Sequence, residues 1–275
     1  MQLRKYSNAA FQGAFTTDML YVGTRELSTT TNKVYGLNAN TGAIVWTFNP
    51  LNMDGVNSTP AADYAGNFVW VSSLSNGGAQ PSLWKIDSLT GALAESFSLG
   101  DISGSPTPNF DNRVIYATTD SGNLVAVRSD VAACANTFVT GATSGTGFPI
   151  PIGSGNPRDE NIFFTTTTAG ASTVRKVNFV YNLTCGGETF VAAGGYTNPS
   201  GIGTLSGPSY NPLTSFIYVG SSNGNLYKID PASGTVLLSR TVNAAATIGE
   251  PSLDLFLSRI YIGDTQGRIY SFDIF

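Results

Sequence analysis

The fold of this chain is decided by residues 216–238, which read FIYVGSSNGNLYKIDPASGTVLL. Residues 216–219 form an apolar run with aromatic and β-branched side chains, a composition that favours a buried strand. The segment SSNGN at 221–225 predicts a hairpin turn, because Asn and Gly accept positive φ at low cost. A return strand at 226–230 then leads through a second turn into a third strand. Such a unit cannot bury its faces alone and therefore requires copies of itself.

Five further units repeat this pattern along the chain. Each unit carries one aromatic residue in the strand that precedes the hairpin, and the set is Tyr21, Trp70, Tyr116, Phe164, Tyr218 and Tyr261. Successive members lie between 43 and 54 residues apart. Repeats of about 40 to 50 residues, each with four short strands, are typical of a β-propeller.

A segment of small residues with proline precedes most of these aromatic residues and predicts the innermost strand of each blade. The segments are residues 57–60, 104–106, 207–209 and 249–251, with 148–150 in the same place in the fourth unit and 12–14 in the first. Proline suits this position because an innermost strand has one unpaired edge.

The two ends of the chain suggest how the ring closes. The last unit stops at Phe275, directly after its third strand, whereas the first unit begins with an additional segment, residues 3–9. Because a closed ring leaves no sheet edge, we expect residues 2–8 to form the outer strand of the last blade. The prediction is an all-β chain, a β-propeller of six four-stranded blades with the last blade closed by the N-terminal strand. The alternative is a piece of a seven- or eight-bladed ring or of a longer protein.

The composition predicts one domain over residues 1–275, because 275 residues with 31 glycines and 12% charged residues suit a single all-β ring. The expected blades are residues 10–50, 51–100, 101–141, 142–195, 196–243, and 244–275 together with 2–8. The longest irregular stretches, 141–161 and 194–207, are polar and rich in glycine. We expect both to be loops on a face of the propeller.

Two segments, YVGSSNGNLYKIDPASGTVL at 218–237 and VYGLNANTGAIVW at 34–46, resemble the repeats of the PQQ-like (quinoprotein-type) β-propeller family. Those repeats run strand, Asp/Asn-Gly turn, aromatic-x-Leu/Ile-Asp, Thr/Ser-Gly turn, and a strand with tryptophan. Similar repeats build the outer-membrane assembly scaffold of the BamB type and the pyrroloquinoline quinone dehydrogenases. The resemblance spans all six units, although only the first keeps the outer-strand tryptophan, Trp46. Such motifs specify a fold better than an activity.

The chain contains no histidine, and this absence limits its chemistry. Histidine is the usual base of Ser and Cys triads and a common ligand of zinc and copper. The quinone dehydrogenases use a vicinal Cys-Cys ring, a tryptophan floor and calcium, whereas the two cysteines here are far apart in sequence. Trp46, Trp70 and Trp84 lie in predicted strands and are expected in the core. The resemblance therefore implies the scaffold without its cofactor, and we expect no enzyme and no cofactor.

Acidic residues near the predicted inner strands are the candidates for a catalytic pair. They are Asp63, Asp101, Glu250 and Asp254, with the adjacent pair Asp159-Glu160 in a predicted loop. Glycosidic chemistry requires two facing carboxyl groups, whereas these residues are spread over different blades. No calcium-loop pattern accompanies them. We interpret them as residues of turns and channel mouths, and expect no metal site.

The charge distribution and the hydropathy constrain the partners and the location. Net charge is −4, the pI is about 4.7, and the 14 Lys and Arg residues form no basic stripe, so nucleic acid is not expected. No apolar run approaches the ~20 residues of a membrane span. The segment of residues 1–6 carries two basic side chains, but the apolar segment of a signal peptide does not follow it. Abundant Ser, Thr, Asn and Gly nevertheless indicate an extracytoplasmic protein, periplasmic, cell-surface or secreted.

Cys134 and Cys185 precede the outer strands of neighbouring units by a few residues. A disulfide between them suits an exported protein, and two independent cysteines are the alternative. Asn57 and Asn182 each begin an Asn-x-Ser/Thr triplet, which permits glycosylation if the host performs it.

The sequence favours a non-catalytic propeller that binds a protein partner through one face. We expect this face to be built by the loops 143–161 and 194–203. Its candidate exposed residues are Phe148, Arg158, Asp159, Tyr196 and Ile202. Two alternatives stay open: a degenerate quinoprotein-type enzyme domain with a site in its channel, and a carbohydrate-binding module that uses exposed aromatic residues to bind a surface glycan.

Overall fold

The structure is a computed structural model that describes residues 2–4, 18–26, 31–63, 66–76, 80–109, 113–153 and 159–275. For residues 2–4, and for Thr146 and Phe148, only the backbone is described. Throughout these ranges the regular structure consists of β-strands. They contain no helix with the length and apolar character needed to cross a membrane.

The described residues form two compact units. The first unit contains Met1–Asp120 and Val125–Thr137, and the second contains Ser121–Leu124 and Phe138–Phe275. Antiparallel sheets of consecutive strands account for both units.

The first three sheets in chain order have four strands each. Their strands are β1 (Gln2–Arg4), β2 (Met19–Gly23), β3 (Val34–Asn38) and β4 (Ile44–Phe48); β5 (Ala61–Asp63), β6 (Phe68–Ser72), β7 (Leu83–Asp87) and β8 (Leu93–Phe97); and β9 (Thr107–Asn109), β10 (Val114–Thr118), β11 (Leu124–Arg128) and β12 (Ala135–Phe138).

The fourth and fifth sheets also have four strands, and the described part of the sixth has three. Their strands are β13 (Ser144–Gly153), β14 (Glu160–Thr168), β15 (Ala171–Val180) and β16 (Thr189–Ala192); β17 (Ser209–Asn211), β18 (Phe216–Gly220), β19 (Asn225–Ile229) and β20 (Val236–Thr241); and β21 (Ser252–Asp254), β22 (Arg259–Gly263) and β23 (Ile269–Asp273). The predicted all-β class and the repeated four-strand unit are confirmed.

The predicted closure of the last blade by the N-terminal strand is wrong. Residues Gln2–Arg4 pair with β2 in the first sheet, with Gln2 opposite Tyr21 and Arg4 opposite Met19. A free strand edge offers the same backbone donors and acceptors wherever it occurs, so a short segment such as 2–4 fits either β2 or β23. The hydrophobic pattern cannot tell these edges apart. Residues 5–8, and the inner strand predicted at 12–14, lie outside the described residues.

The prediction of a loop at 141–161 is wrong for residues 144–153, which form a strand. Ser144–Gly153 pairs with β14, with an irregular register between Thr146 and Ile150. Its prolines, Pro149 and Pro151, are tolerated because β13 is an edge strand with β14 as its partner. Gly147 takes a φ of 74°, a conformation that glycine adopts at low cost. The other predicted loop, 194–207, contains no strand and is confirmed as a loop.

Most of the repeated aromatic residues belong to the buried core. Five of the six, Tyr21, Trp70, Tyr116, Phe164 and Tyr218, are fully buried, whereas Tyr261 of the sixth sheet is 36% exposed. Tyr21 stacks on Trp46 with ring centroids 5.7 Å apart, and the Trp46 Nε1–H donates to the Ser88 carbonyl at 3.1 Å. Trp46, Trp70 and Trp84 are all buried, as predicted.

Candidate interaction site

The loop at residues 193–208, between β16 and β17, is the best-defined candidate for partner contact, and its first half is fixed by Tyr196. The Tyr196 ring packs edge-on against Phe163 of β14, with centroids 5.9 Å apart. Its hydroxyl lies 3.5 Å from the Val174 carbonyl, to which it donates. Burial, aided by the charge of Asp230, raises the pKa of the Tyr196 phenol, so this side chain stays neutral.

Lys176 holds the same region together from β15. Its Nζ donates to the Pro231 carbonyl at 3.1 Å and lies 5.7 Å from the centre of the Tyr196 ring. Burial lowers the pKa of Lys176, while the carboxylate of Asp230 opposes that shift. The ammonium therefore combines a hydrogen bond with a cation–π contact beneath the loop.

The backbone of the loop then crosses the turn between β19 and β20. Thr197 N–H donates to the Ser233 carbonyl at 2.9 Å. A Cβ added at Gly234 would lie 1.9 Å from the Thr197 carbonyl oxygen, and Gly234 has a φ of 78°. Glycine at this turn is thus required both by the backbone conformation and by the approach of the loop.

The second half of the loop is fixed at the turn between β18 and β19. The Ile202 carbonyl accepts hydrogen bonds from Ser221 Oγ and, at 3.2 Å, from Asn223 Nδ2. Thr204 N–H donates to Ser222 Oγ at 2.9 Å, and Leu205 N–H donates to Ser172 Oγ at 3.1 Å. These contacts hold the loop against two neighbouring sheets of the second unit.

Between the two fixed points the loop presents polar residues to solvent. Thr197, Asn198, Ser200 and Gly201 are exposed, while Pro199 is buried. Because its ends are fixed, this segment can bind a partner at a low cost in conformational entropy.

Of the five predicted contact residues, the structure describes Asp159, Tyr196 and Ile202 with their side chains, and it does not bring these three into one patch. Tyr196 and Ile202 are half-buried and pack against the core that contains Phe163, so their expected exposure is wrong. Asp159 accepts a hydrogen bond from the Tyr181 N–H at 2.9 Å, at the end of the fourth sheet where β13 and β14 join. Arg158 and the side chain of Phe148 lie outside the described residues.

Asp159 and the end of the loop lie at opposite ends of the fourth sheet. Leu205 bonds to Ser172 beside the β14–β15 turn, whereas Asp159 precedes the first residue of β14. The physical reason is strand β13, which carries the chain along the full length of the sheet. Because the sequence predicts one loop at 141–161, it does not predict that Asp159 and the end of the 193–208 loop lie at opposite ends of the sheet.

The acidic residues considered as catalytic candidates are mostly held in turns. Asp101 accepts hydrogen bonds from the N–H and Oγ of Ser75, and Asp254 accepts from two backbone N–H groups of its own turn. Asp63 is buried and accepts from the Gly66 N–H at 3.0 Å. Within the described ranges, no three His, Cys, Asp or Glu side chains gather as ligands for a metal ion.

Glu250 differs from the other acids because of its surroundings. A Cβ added at Gly207 would lie 2.5 Å from Glu250 Oε2, and one added at Gly147 would lie 3.5 Å from the same oxygen. Burial raises the pKa of Glu250 to about 7. The two glycines provide the space for this carboxyl, and this pairing of distant positions has no signal in the sequence.

The two cysteines and the two glycosylation triplets take ordinary positions. Cys134 and Cys185 are both disulfide-bonded, as the sequence allowed. Asn57 and Asn182 are exposed. Glycosylation at either asparagine stays a prediction.

Comparison with known proteins assigns the family. A family model described as "Outer membrane protein assembly factor BamB" matches residues 4–147, just over half of the chain. The chain belongs to this family. The PQQ-like repeats recognised in the sequence are therefore those of a BamB-family chain, and the predicted resemblance is confirmed.

Solved structures agree on the fold of this BamB-family chain. The crystal structure of BamB from Moraxella catarrhalis is 18% identical with a TM-score of 0.60, covering 94% of this chain and 71% of its own. The C-terminal WD40 domain of Sif2 is 10% identical with a TM-score of 0.61, covering 88% of this chain and 61% of its own. At such identities the likeness shows the β-propeller fold alone. No curated protein matches the chain by sequence.

Proposed function

We propose that this BamB-family chain is a non-catalytic, extracytoplasmic protein-binding scaffold, built as one six-bladed propeller over residues 1–275. The observation that carries the proposal is the 193–208 loop, which exposes polar backbone and side chains between two fixed ends. A surface of this kind suits recognition of another protein, because little order has to be gained on binding.

Three further observations support the proposal. The family model that matches the chain is described as an outer membrane protein assembly factor. The chain lacks histidine, and the candidate acids Asp101 and Asp254 accept hydrogen bonds at separate sites, which favours binding over catalysis. Disulfide-bonded cysteines suit an oxidising compartment outside the cytoplasm.

The proposed contact uses residues 197–201, with Tyr196 and Ile202 as the groups that hold the loop in place. Phe148, Arg158 and Asp159 stay predicted contact residues, and Asp159 would belong to a second contact at the other end of the fourth sheet. The partner is expected to be a protein.

The proposal is tested with two arginine substitutions in the loop, Asn198→Arg and Ser200→Arg together. Both residues are exposed, so the fold is preserved while the contact is blocked. The tagged chain is used to capture a partner from a periplasmic extract of its host, and the purified partner is titrated against both proteins. We expect at least tenfold weaker binding for the variant.

The matched control is Asn40→Arg, which places the same side chain on an exposed turn of the first sheet. It should bind the partner like the unmodified chain. Equal affinity of the loop variant and this control would contradict the proposed contact. Failure to capture any protein would contradict the scaffold function itself.

A further inference from the structure

The turn between the third and fourth strands of a sheet offers one backbone carbonyl to the preceding sheet of the same unit. In the second, third and fifth sheets a backbone N–H closes this turn, and the residue that follows carries the carbonyl. The closing residues are Asp87, Arg128 and Asp230, and the carbonyls are those of Ser88, Ser129 and Pro231. Each carbonyl accepts a hydrogen bond from a side chain of the preceding sheet.

Trp46 of β4 is the donor between the first and second sheets. Its Nε1–H donates to the Ser88 carbonyl at 3.1 Å. The ring has space because Gly36 lies opposite Trp46, and a Cβ at Gly36 would lie 2.3 Å from it. The ring also covers the turn of the second sheet at Gly91, where an added Cβ would lie 2.8 Å from it. One indole therefore supplies both a donor and a ring to this turn.

Between the second and third sheets the donor is Lys85 of β7. It takes the position that Gly36 has in the first sheet, opposite an aromatic residue of the second strand. The Lys85 side chain is buried, and its Nζ donates to the Ser129 carbonyl at 2.7 Å. The same Nζ lies 4.2 Å from the centre of the Phe68 ring. A buried ammonium is costly without such partners, so this contact depends on the carbonyl and the ring together.

Glu95 completes this contact from the position that Trp46 has in the first sheet. It lies opposite Lys85 in β8, and its Oε1 accepts a hydrogen bond from the Ala133 N–H of the third sheet. Ala133 has a φ of 54° and takes the position of Gly91 in the turn. Burial lowers the pKa of Lys85, and the charge of Glu95 opposes this shift. The two side chains thus hold both ends of one turn.

Between the fourth and fifth sheets the two roles of the indole are divided between Lys176 and Tyr196. Lys176 lies opposite Phe163, and its Nζ donates to the Pro231 carbonyl at 3.1 Å. A Cβ added at Gly234 would lie 3.2 Å from Cε2 of Tyr196, so the tyrosine ring covers the glycine of this turn. The lysine supplies the donor and the tyrosine supplies the ring.

From this geometry we propose that Lys85 with Glu95, and Lys176 with Tyr196, replace the outer-strand tryptophan of the repeat as the groups that dock one sheet on the next. The first sheet docks through a neutral indole, whereas these two contacts depend on a buried ammonium. The inference goes beyond the proposed binding function, because it requires no partner. A lysine opposite an aromatic residue of the second strand is its signal in the sequence.

Lys228 is the matched control, because it has the same position in the fifth sheet. It lies opposite Tyr218, and its Nζ lies 4.1 Å from the centre of the Phe216 ring. Within the described ranges its ammonium donates no hydrogen bond to the sixth sheet. Lys228 therefore tests the ring contact apart from the bond to a carbonyl.

The test compares Lys85→Met, Lys176→Met and Lys228→Met in the full chain by thermal unfolding. Methionine keeps most of the apolar stem but removes the charge and the donor, so the carbonyl of the next sheet is left unsatisfied. We expect the first two variants to lower the unfolding midpoint by at least about 3 °C. Lys228→Met should stay within about 1 °C of the unmodified chain.

Hydrogen exchange locates the effect of each variant at its own contact. The Ala133 N–H bonds to Glu95, and the Thr197 N–H donates to the Ser233 carbonyl at 2.9 Å across the second contact. Lys85→Met should speed exchange at Ala133, and Lys176→Met should speed exchange at Thr197, each by at least about tenfold. Each variant should leave the other amide unchanged, and Lys228→Met should leave both unchanged.

A measurement on the unmodified chain does not depend on how the variants fold. An ammonium bound to a buried carbonyl exchanges its protons slowly, so Lys85 and Lys176 should give side-chain ¹H–¹⁵N signals at neutral pH. The ε-protons of Lys85 should be shifted upfield by the Phe68 ring.

Three results would overturn the inference. The first is an unfolding midpoint for Lys85→Met and Lys176→Met equal to or above that of the unmodified chain, which would show that burial of the charge costs more than the contact contributes. The second is an equal loss in Lys228→Met, which would assign the effect to the ring contact alone. The third is the absence of both ammonium signals from the folded chain.

Discussion

At the scale of single residues, Glu250 shows how space left by glycine sets a carboxyl's acidity. Its oxygen occupies volume that a side chain at Gly207 would need, and burial raises its pKa to about 7. An acid whose pKa is raised in the folded state favours folding in its protonated form. Stability from this group is therefore fully present below about pH 4.5 and is lost as the pH rises through about 7.

We predict that Glu250→Gln removes this pH dependence. At pH 8 the free energy of unfolding of the variant should exceed that of the unmodified chain by about 1 to 2 kcal/mol, after allowing for partial solvent exposure. At pH 4.5 the two proteins should be nearly equal. The measurement is urea unfolding at several pH values. A difference that is the same at pH 4.5 and pH 8 would show that Glu250 acts through packing alone.

At the scale of strands, the sequence predicts the repeated hairpins better than the irregular blades. The turn at 221–225 and the strands around it are found as predicted, because Asn-Gly turns and alternating apolar residues are local signals. Strand β13 was missed because Gly147, Pro149 and Pro151 read as loop residues, and only its position at a sheet edge permits them. The contacts of Tyr196 with Phe163 and Lys176 join distant segments and leave no local signal.

In the second and fifth sheets, the last residue of the second strand contacts the following sheet. Ser72 Oγ donates to the Gly104 carbonyl at 2.6 Å at the end of β6. Gly220 ends β18, and a Cβ there would lie 2.1 Å from the Gly249 carbonyl oxygen. The position therefore holds either a hydroxyl that bonds to the next sheet or a glycine that lets its backbone approach.

Substitutions at the two positions should differ in cost. We predict that Ser72→Ala lowers the free energy of unfolding by about 1 to 2 kcal/mol, the value of a buried hydrogen bond whose acceptor is left unsatisfied. Gly220→Ala should cost about 2 to 3 kcal/mol, because the added methyl group overlaps backbone that must move. Urea unfolding measures both. Gly194→Ala is the control, since a Cβ there meets nothing within 4 Å, and a loss as large as that of Gly220→Ala would contradict the steric explanation.

At the scale of the whole molecule, the division into two units does not follow a linker. It falls at three places: between Asp120 and Ser121 in the turn that precedes β11, between Leu124 and Val125 inside β11, and between Thr137 and Phe138 inside β12. Domain boundaries normally fall in exposed, polar connecting segments. Because two of these divisions lie inside strands, we expect residues 1–275 to fold as one domain.

We therefore predict one cooperative thermal transition for the full chain, with equal calorimetric and van't Hoff enthalpies in differential scanning calorimetry. Within each unit, neighbouring sheets share a hydrophobic core, so the loss of one sheet removes support from the next. Ser72→Ala, in the first unit, provides an internal check, because it should shift the whole transition to lower temperature. Two resolved transitions, with Ser72→Ala moving one of them, would show instead that the units unfold independently and that residues 1–275 contain two domains.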